Sequence, residues 1–384
     1  MTRVTLDDET PACASPAQWS INGRFLTQQI TGVQRYAREI TNAIDSYLCT
    51  DEAAARSMRW EIIVPADCDA VPSYQAIAVR RSAHGGGHAW EQMVLPAMAR
   101  GGLVNFANLA PLAHAKQIVC LHDANVFLEP DSYAPTFRLA YRAIYPLLAR
   151  RARAVTTVSQ FSGAMLERFH VLKRPASVIG NGHEHALRWN PAASRFDVPG
   201  AFKRPFVFAL GSRAKHKQID RLVGLAPHLD ALGIDLVVSG GTASIFAGAT
   251  LAPAPNVIPL GFVGDDDLAA LFRHALCFAF PSRTEGFGLP LLEAMVHGCP
   301  IITSNCASMP EVCGDAALYA PPDDFGAWLA QIVALRDNAA LGADLRAKGR
   351  RRYPLFSWNA GARAYVNLAL ALSPAATLSF GNAG

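Results

Sequence analysis

The feature that most constrains this fold is a recurring one: short apolar runs of β-forming residues, separated by helical patterns. Nine such runs are read, at 61–64, 117–121, 155–159, 177–179, 206–210, 236–239, 257–260, 277–280 and 300–303. Most are apolar without alternation, as in "FVFAL" and "CFAF", which marks strands covered on both faces. Helical stretches at 33–44, 137–149 and 220–232 lie between them, so parallel strands joined by helical crossovers are expected. A chain of 384 residues is long enough for two such units, each with its own core. The stretch 186–204, "ALRWNPAASRFDVPGAFKR", is rich in Pro, Ala and charge and is the expected linker. The fold class is therefore α/β: two Rossmann-like parallel-sheet domains, 18–190 and 205–355, facing across a cleft, with a loose polar arm at 1–17.

Bulk properties exclude several classes. A formal charge of +4 is too small to argue for nucleic acid as a partner. Eight cysteines do not form a disulfide framework: Cys120 and Cys277 sit in apolar strand runs, and Cys299, Cys306 and Cys313 are spaced seven apart, unlike paired zinc ligands. No signal peptide is read at the start, and no run approaches the ~20 apolar residues that span a bilayer. A cytoplasmic protein is expected, soluble or peripheral at the inner face of the membrane.

In parallel sheets, ligands bind beyond the carboxyl ends of the strands, so the loops there hold the candidates. In "EGFGLPLLE", Glu285 lies in a strand-to-helix loop and Glu293 about one turn inside a helix that begins at Pro290. Main-chain N–H groups of Gly286–Leu289 are placed to hold an anion. Glu293 has a plainer reading as dipole compensation or a capping box, but the cap position then holds Leu289 and the box offset falls on Leu292. In "GSRAKHKQID", Gly211 and Ser212 end a strand and Arg213, Lys215, His216 and Lys217 follow. These four potentially cationic groups either neutralise a diphosphate or are simply solvated. In "LHD", His122 and Asp123 follow a buried strand and are expected to project into the cleft, for hydroxyl contact or proton transfer, unless the histidine is structural. Gly32 precedes an amphipathic helix and lets a ligand approach its N-terminus. Together these suit a ligand with a diphosphate, a ribose and a sugar.

From "DDLAALFRHALCFAFPSRTEGFGLPLLEAMVHGCPIITSNCASMPEVCGDAALYAPPDD", with "ITGVQRYAREI", "LHD", "TTVSQFS", "NGH" and "GSRAKHKQID" in order, the chain resembles retaining glycosyltransferases of family 4. Glu285 and Glu293 form that family's E-x7-E element. The resemblance implies the GT-B fold, with a C-terminal helix in 356–384 crossing back to the first domain. It implies that Glu293 binds the donor ribose and Glu285 faces the donor sugar. Gly286, Gly288 and the N–H groups of Phe287 to Leu289 would contact sugar and phosphate. Lys217 would hold the diphosphate. Many members place the partner arginine directly after the glycine, where this chain has Ser212, so Arg213 is taken in its place. His122 would lie near the reacting carbon, and Gly261 and Phe262 would line the nucleobase. It further implies catalysis without a metal, a cofactor or a protein nucleophile, by stabilising the departing diphosphate while the acceptor attacks the same face.

The implied activity moves a hexose, mannose or a deoxyhexose, from a nucleotide sugar such as GDP-mannose to a saccharide acceptor, free or lipid-linked, in polysaccharide or lipopolysaccharide synthesis. The alternative of another class is a catalytically silent sugar-nucleotide binding protein. A nicotinamide oxidoreductase is disfavoured because no strand leads into G-x-G-x-x-G. "DCD" at 67–69 mimics a DxD metal motif but reads as a surface loop, and "DDD" at 265–267 reads as helix N-terminal charge. No acidic residue occurs from Ser132 to Leu166, whereas Arg138, Arg142, Arg150, Arg151 and Arg153 interleave with apolar residues. The stretch 137–153 is either a helix packed on its sheet or a peripheral membrane contact.

Overall fold

A computed structural model describes residues 16–211, 214–240 and 254–373. The first sheet has seven strands: β1 (Ala17–Asn22), β2 (Met58–Val64), β3 (Ile77–Arg81), β4 (Gly102–Asn105), β5 (Gln117–Cys120), β6 (Ala154–Thr157) and β7 (Ser177–Val178), in the order β3-β2-β1-β4-β5-β6-β7. The second has six: β8 (Phe206–Gly211), β9 (Asp235–Gly240), β10 (Val257–Gly261), β11 (Cys277–Phe280), β12 (Ile301–Ser304) and β13 (Leu318–Ala320), in the order β10-β9-β8-β11-β12-β13. Every strand pair is parallel. The chain reverses direction of growth beside β1 in the first sheet and beside β8 in the second, and those switch points open the crevice where ligands bind.

Four strands escape the apolar-run criterion. β1 is "AQWSIN", whose Ser20 and Asn22 are buried and hydrogen-bonded to Glu61 at 2.6 Å and Glu91 at 2.8 Å. β4 is only Gly102–Asn105, and β3 and β13 lie at sheet edges with partly exposed residues. The helix expected at 220–232 is two short ones, Ile219–Gly224 and Ala226–Ala231. Pro227, in the first turn of the second, has no N–H to extend the first through the junction.

One apolar cluster runs through both halves, from Trp19 and Ile21 through Tyr36, Trp358 and Tyr365 to Phe287 and Leu292. The final helix, Trp358–Ala371, packs on helix Gly32–Thr50 of the first domain. A buried hydroxyl chain fastens it there. Tyr36 donates to the Ile179 carbonyl at 3.1 Å, so the 3.0 Å contact between Tyr36 and Tyr365 has Tyr365 donating, and Thr156 donates to Tyr365 at 2.7 Å. Tyr365→Phe removes the middle link and leaves two buried hydroxyls short of a partner. The expected loss is about 1–3 kcal/mol, read as a lower urea midpoint at unchanged slope.

Candidate functional site

The carboxyl end of β11 leads through Pro281–Phe287 into the helix Leu289–Val296. That helix starts one residue earlier than expected at Pro290. Its cap is Gly288, at φ +91°, a left-handed conformation that glycine adopts without strain. A Cβ at Gly288 would also lie 2.8 Å from the Leu291 side chain. Among the described residues the main-chain N–H groups of Phe287, Gly288 and Leu289 meet no acceptor, so the positive end of this helix is unsatisfied.

At Gly286 the two domains meet closely. Its carbonyl accepts from Ser159 at 2.6 Å and Ser162 at 3.0 Å, both from the first domain. A Cβ at Gly286 would stand 2.6 Å from the His122 carbonyl oxygen and 3.2 Å from Asp123. Ser308 donates to the carbonyls of Glu285 and Phe287, each at 3.0 Å, from the other side. Phe287 is buried, edge-on to Phe356.

The two glutamates have separate surroundings. Glu285 accepts from Ser282 at 2.5 Å and forms an ion pair with Lys217. Glu293, 4% exposed, makes no capping contact; its carboxylate takes a 3.1 Å bond from His185 Nε2 and lies 3.9 Å from the Arg35 guanidinium. Trp358 Nε1 points at His185 Nδ1 at 3.1 Å. An indole N–H only donates, so Nδ1 is the acceptor and Nε2 carries the proton. A neutral His185 therefore relays between the last helix and Glu293.

A cleft of about 460 Å³ collects Gly32, Arg35, Gly211, Phe262, Asp265, Leu289 and Glu293. Gly32 starts its helix with open space where a Cβ would be. Gly261 ends β10 at φ +69°, and Phe262 is 72% exposed beside it. Arg35 closes one side with a bidentate pair to Asp265, at 2.6 and 3.0 Å. Ser212 and Arg213 lie outside the described residues.

Several expectations change. His216 is not one of the loop's cations: burial and then Lys217 push its pKa down to about 4. Its ring instead contacts Ser132 at 3.0 Å across the domains. The His122 ring is turned into the first domain rather than the cleft, 6% exposed, with Nε2 bonded to the Phe106 carbonyl at 2.7 Å. It is the main chain of His122 that reaches the second domain. Burial raises the pKa of Asp123, whose carboxylate accepts the Asn125 N–H at 2.8 Å. "DDD" does open the helix Asp265–His274, but each carboxylate also holds another segment: Asp265 holds Arg35, Asp266 the Asn190 N–H and Asp267 Arg195. Asp67 and Asp69 are exposed on either side of buried Cys68.

His185, Arg35, Ser159 and Ser162 were not singled out. Nothing in "NGHEHALRW" separates His185 from His183, because the distinction is made by Trp358, 173 residues away.

The arrangement is that of a cleft between two parallel α/β sheets. The chain belongs to the family described as Glycosyl transferases group 1, which matches residues 204–338. It is 44% identical over 270 residues to O-antigen chain mannosyltransferase B of Escherichia coli, covering 63% of this chain and 67% of that protein. It is 42% identical over 162 residues to the serotype-specific mannosyltransferase WbdA of Escherichia coli, 42% of this chain but 17% of that one. The fold is GT-B. It is similar to sucrose-phosphate synthase from Thermosynechococcus elongatus, with TM-score 0.71 and 18% identity over 93% of this chain and 99% of the other. It is also similar to WaaG, a glycosyltransferase involved in lipopolysaccharide biosynthesis, with TM-score 0.64 and 14% identity over 92% and 99%.

If His185 acts by holding Glu293, His185→Ala should raise donor KM about tenfold with kcat changed less than twofold, the loss of one charge-assisted bond. His185→Gln, which keeps an N–H donor, should recover part of that. Steady-state kinetics separates this from a purely structural role, in which KM is unmoved in the folded fraction.

Proposed function

We propose that the protein is a retaining, metal-independent hexosyltransferase. It moves mannose, or a deoxyhexose, from a nucleotide sugar onto a saccharide acceptor in lipopolysaccharide or other polysaccharide synthesis. The observation that carries this reading is the pairing of a buried, His185-held Glu293 with three acceptor-less N–H groups at the start of the same helix. The carboxylate suits two ribose hydroxyls, and the N–H groups suit a phosphate or sugar oxygen. Names of the Escherichia coli relatives favour mannose, and GDP is taken as its nucleotide from the family resemblance alone.

In this reading the nucleobase lies on Phe262 and Gly261, the ribose on Glu293, and the diphosphate near Gly32, Lys217, Ser212 and Arg213. The sugar faces Glu285, the Gly286–Leu289 chain and the His122–Asp123 turn. The anomeric C–O bond to the diphosphate breaks, the acceptor oxygen bonds to the same face of that carbon, and its proton passes to the leaving phosphate. Lys217, freed from Glu285 when the diphosphate arrives, and the helix N-terminus stabilise the departing charge. No metal or cofactor has a role in this scheme. The acceptor is lipid-linked and is met at the inner face of the membrane, which the 137–153 stretch contacts.

A nucleotide-sugar panel read by thermal shift tests the donor assignment. At a hundredfold excess over Kd the correct donor should raise Tm by about 3 °C. Stabilisation by no nucleotide sugar, GDP or UDP would overturn the reading, and stabilisation without turnover on any saccharide acceptor would favour the silent binding protein.

A further inference from the structure

A second cavity, of about 390 Å³, lies in the first domain away from the cleft. It sits at the amino ends of β6 and β7, whereas the cleft is at the carboxyl ends. Its walls carry Arg150 and Arg153 from one segment and Lys173 and Arg174 from another, with no carboxylate among the lining residues. Among the described residues none of these four side chains makes an ion pair, a hydrogen bond or a ring contact. Arg150 alone would be explained by the negative end of the helix Pro135–Arg151. That does not explain why Arg153, Lys173 and Arg174 converge on the same hollow.

The same helix gives the cavity a neighbour. Leu139, Ala143, Leu147 and Arg150 follow at i, i+4, i+8 and i+11, so they form one stripe, and all four are exposed. Leu139 is 72% and Leu147 46% exposed, a high exposure for leucines in a packed helix. An apolar stripe thus runs directly into an unneutralised basic hollow. A soluble phosphate would need only the hollow. A bilayer surface offers acyl chains to the stripe and phosphates to the cations.

We propose that the cavity walled by Arg150, Arg153, Lys173 and Arg174 binds the phosphate of anionic phospholipid headgroups and docks the first domain on the bilayer. The assignment deepens the membrane contact put forward above and rests on it, but not on the identity of the donor. Lys173 and Arg174 extend the contact beyond the helix, and the hollow supplies a site where a diffuse charge would not.

The test uses the full-length protein and co-sedimentation with vesicles of phosphatidylcholine alone or mixed equally with phosphatidylglycerol. Wild type should pellet with the anionic vesicles and stay in solution with the neutral ones. Arg153→Ala/Lys173→Ala should lower the partition coefficient about 25-fold, roughly fivefold per cation. Leu139→Ser/Leu147→Ser should lower it as well. Inorganic phosphate, an analogue of the headgroup phosphate, should displace the protein from the vesicles better than chloride at equal ionic strength. The melting temperature without ligand should be the same in all variants, which shows that they are folded without reference to any donor and keeps a failure here distinct from a failure of the donor assignment. Wild type that ignores anionic vesicles, or a double variant that binds them as wild type does, overturns the proposal. Displacement by inorganic phosphate no better than by chloride overturns the hollow as a phosphate site and leaves only diffuse charge.

Discussion

The centre of the molecule depends on how closely two main chains meet at Gly286. With no Cβ there, the His122–Asp123 turn of the first domain can lie against the loop after β11 of the second. Two serine hydroxyls satisfy the Gly286 carbonyl from across the boundary, so this contact is polar and directional as well as close. Any larger residue would drive the carboxyl ends of the two sheets apart, and with them every group that lines the cleft. The N-terminus of helix Gln160–Arg168 is tied to the second domain too, its first N–H groups donating to Glu311 at 2.8 and 3.1 Å. Helix polarity and close approach thus act at the same seam.

Around this seam the charges are arranged in pairs whose members come from different segments. Lys217 meets Glu285, Arg35 meets Asp265, and Glu293 meets His185. Buried or half-buried carboxylates left without partners would be costly, so these contacts help to hold the cleft together. They also define what a ligand must replace. Under the proposed function a diphosphate would compete with Glu285 for Lys217, whereas a ribose would add to Glu293 without displacing His185. In that scheme Glu285 is coupled to anion binding and Glu293 is fixed in advance by its partner.

How far the sequence foretold this can be argued from particular residues. The apolar runs found most of the strands whose two faces are both covered, because burial on two faces leaves its mark in composition, but the buried β4, only four residues long, escaped them. They missed β1, whose polar Ser20 and Asn22 are satisfied by Glu61 and Glu91, residues remote in the chain. The placement of Glu285, Lys217 and Glu293 was legible because each sits at a strand's carboxyl end or one turn beyond. The direction of the His122 ring was not, since a strand end fixes the main chain and leaves χ angles to packing. His216 kept its charge on paper and loses it to burial beside Lys217. His185 was invisible for the same reason as β1: its role is conferred by Trp358 at the far end of the chain.

The central claim is that Glu285 and Glu293 serve two ends of one ligand and do not act as a pair. Calorimetric titration of Glu285→Gln and Glu293→Gln with a nucleoside diphosphate and with its nucleotide sugar tests this most directly. Glu293→Gln should weaken both ligands about tenfold or more, the loss expected for a charge-assisted bond to ribose. Glu285→Gln should weaken the nucleotide sugar while leaving the nucleoside diphosphate unchanged or tighter, since Lys217 is released. Equal losses for both ligands in both variants would contradict the account.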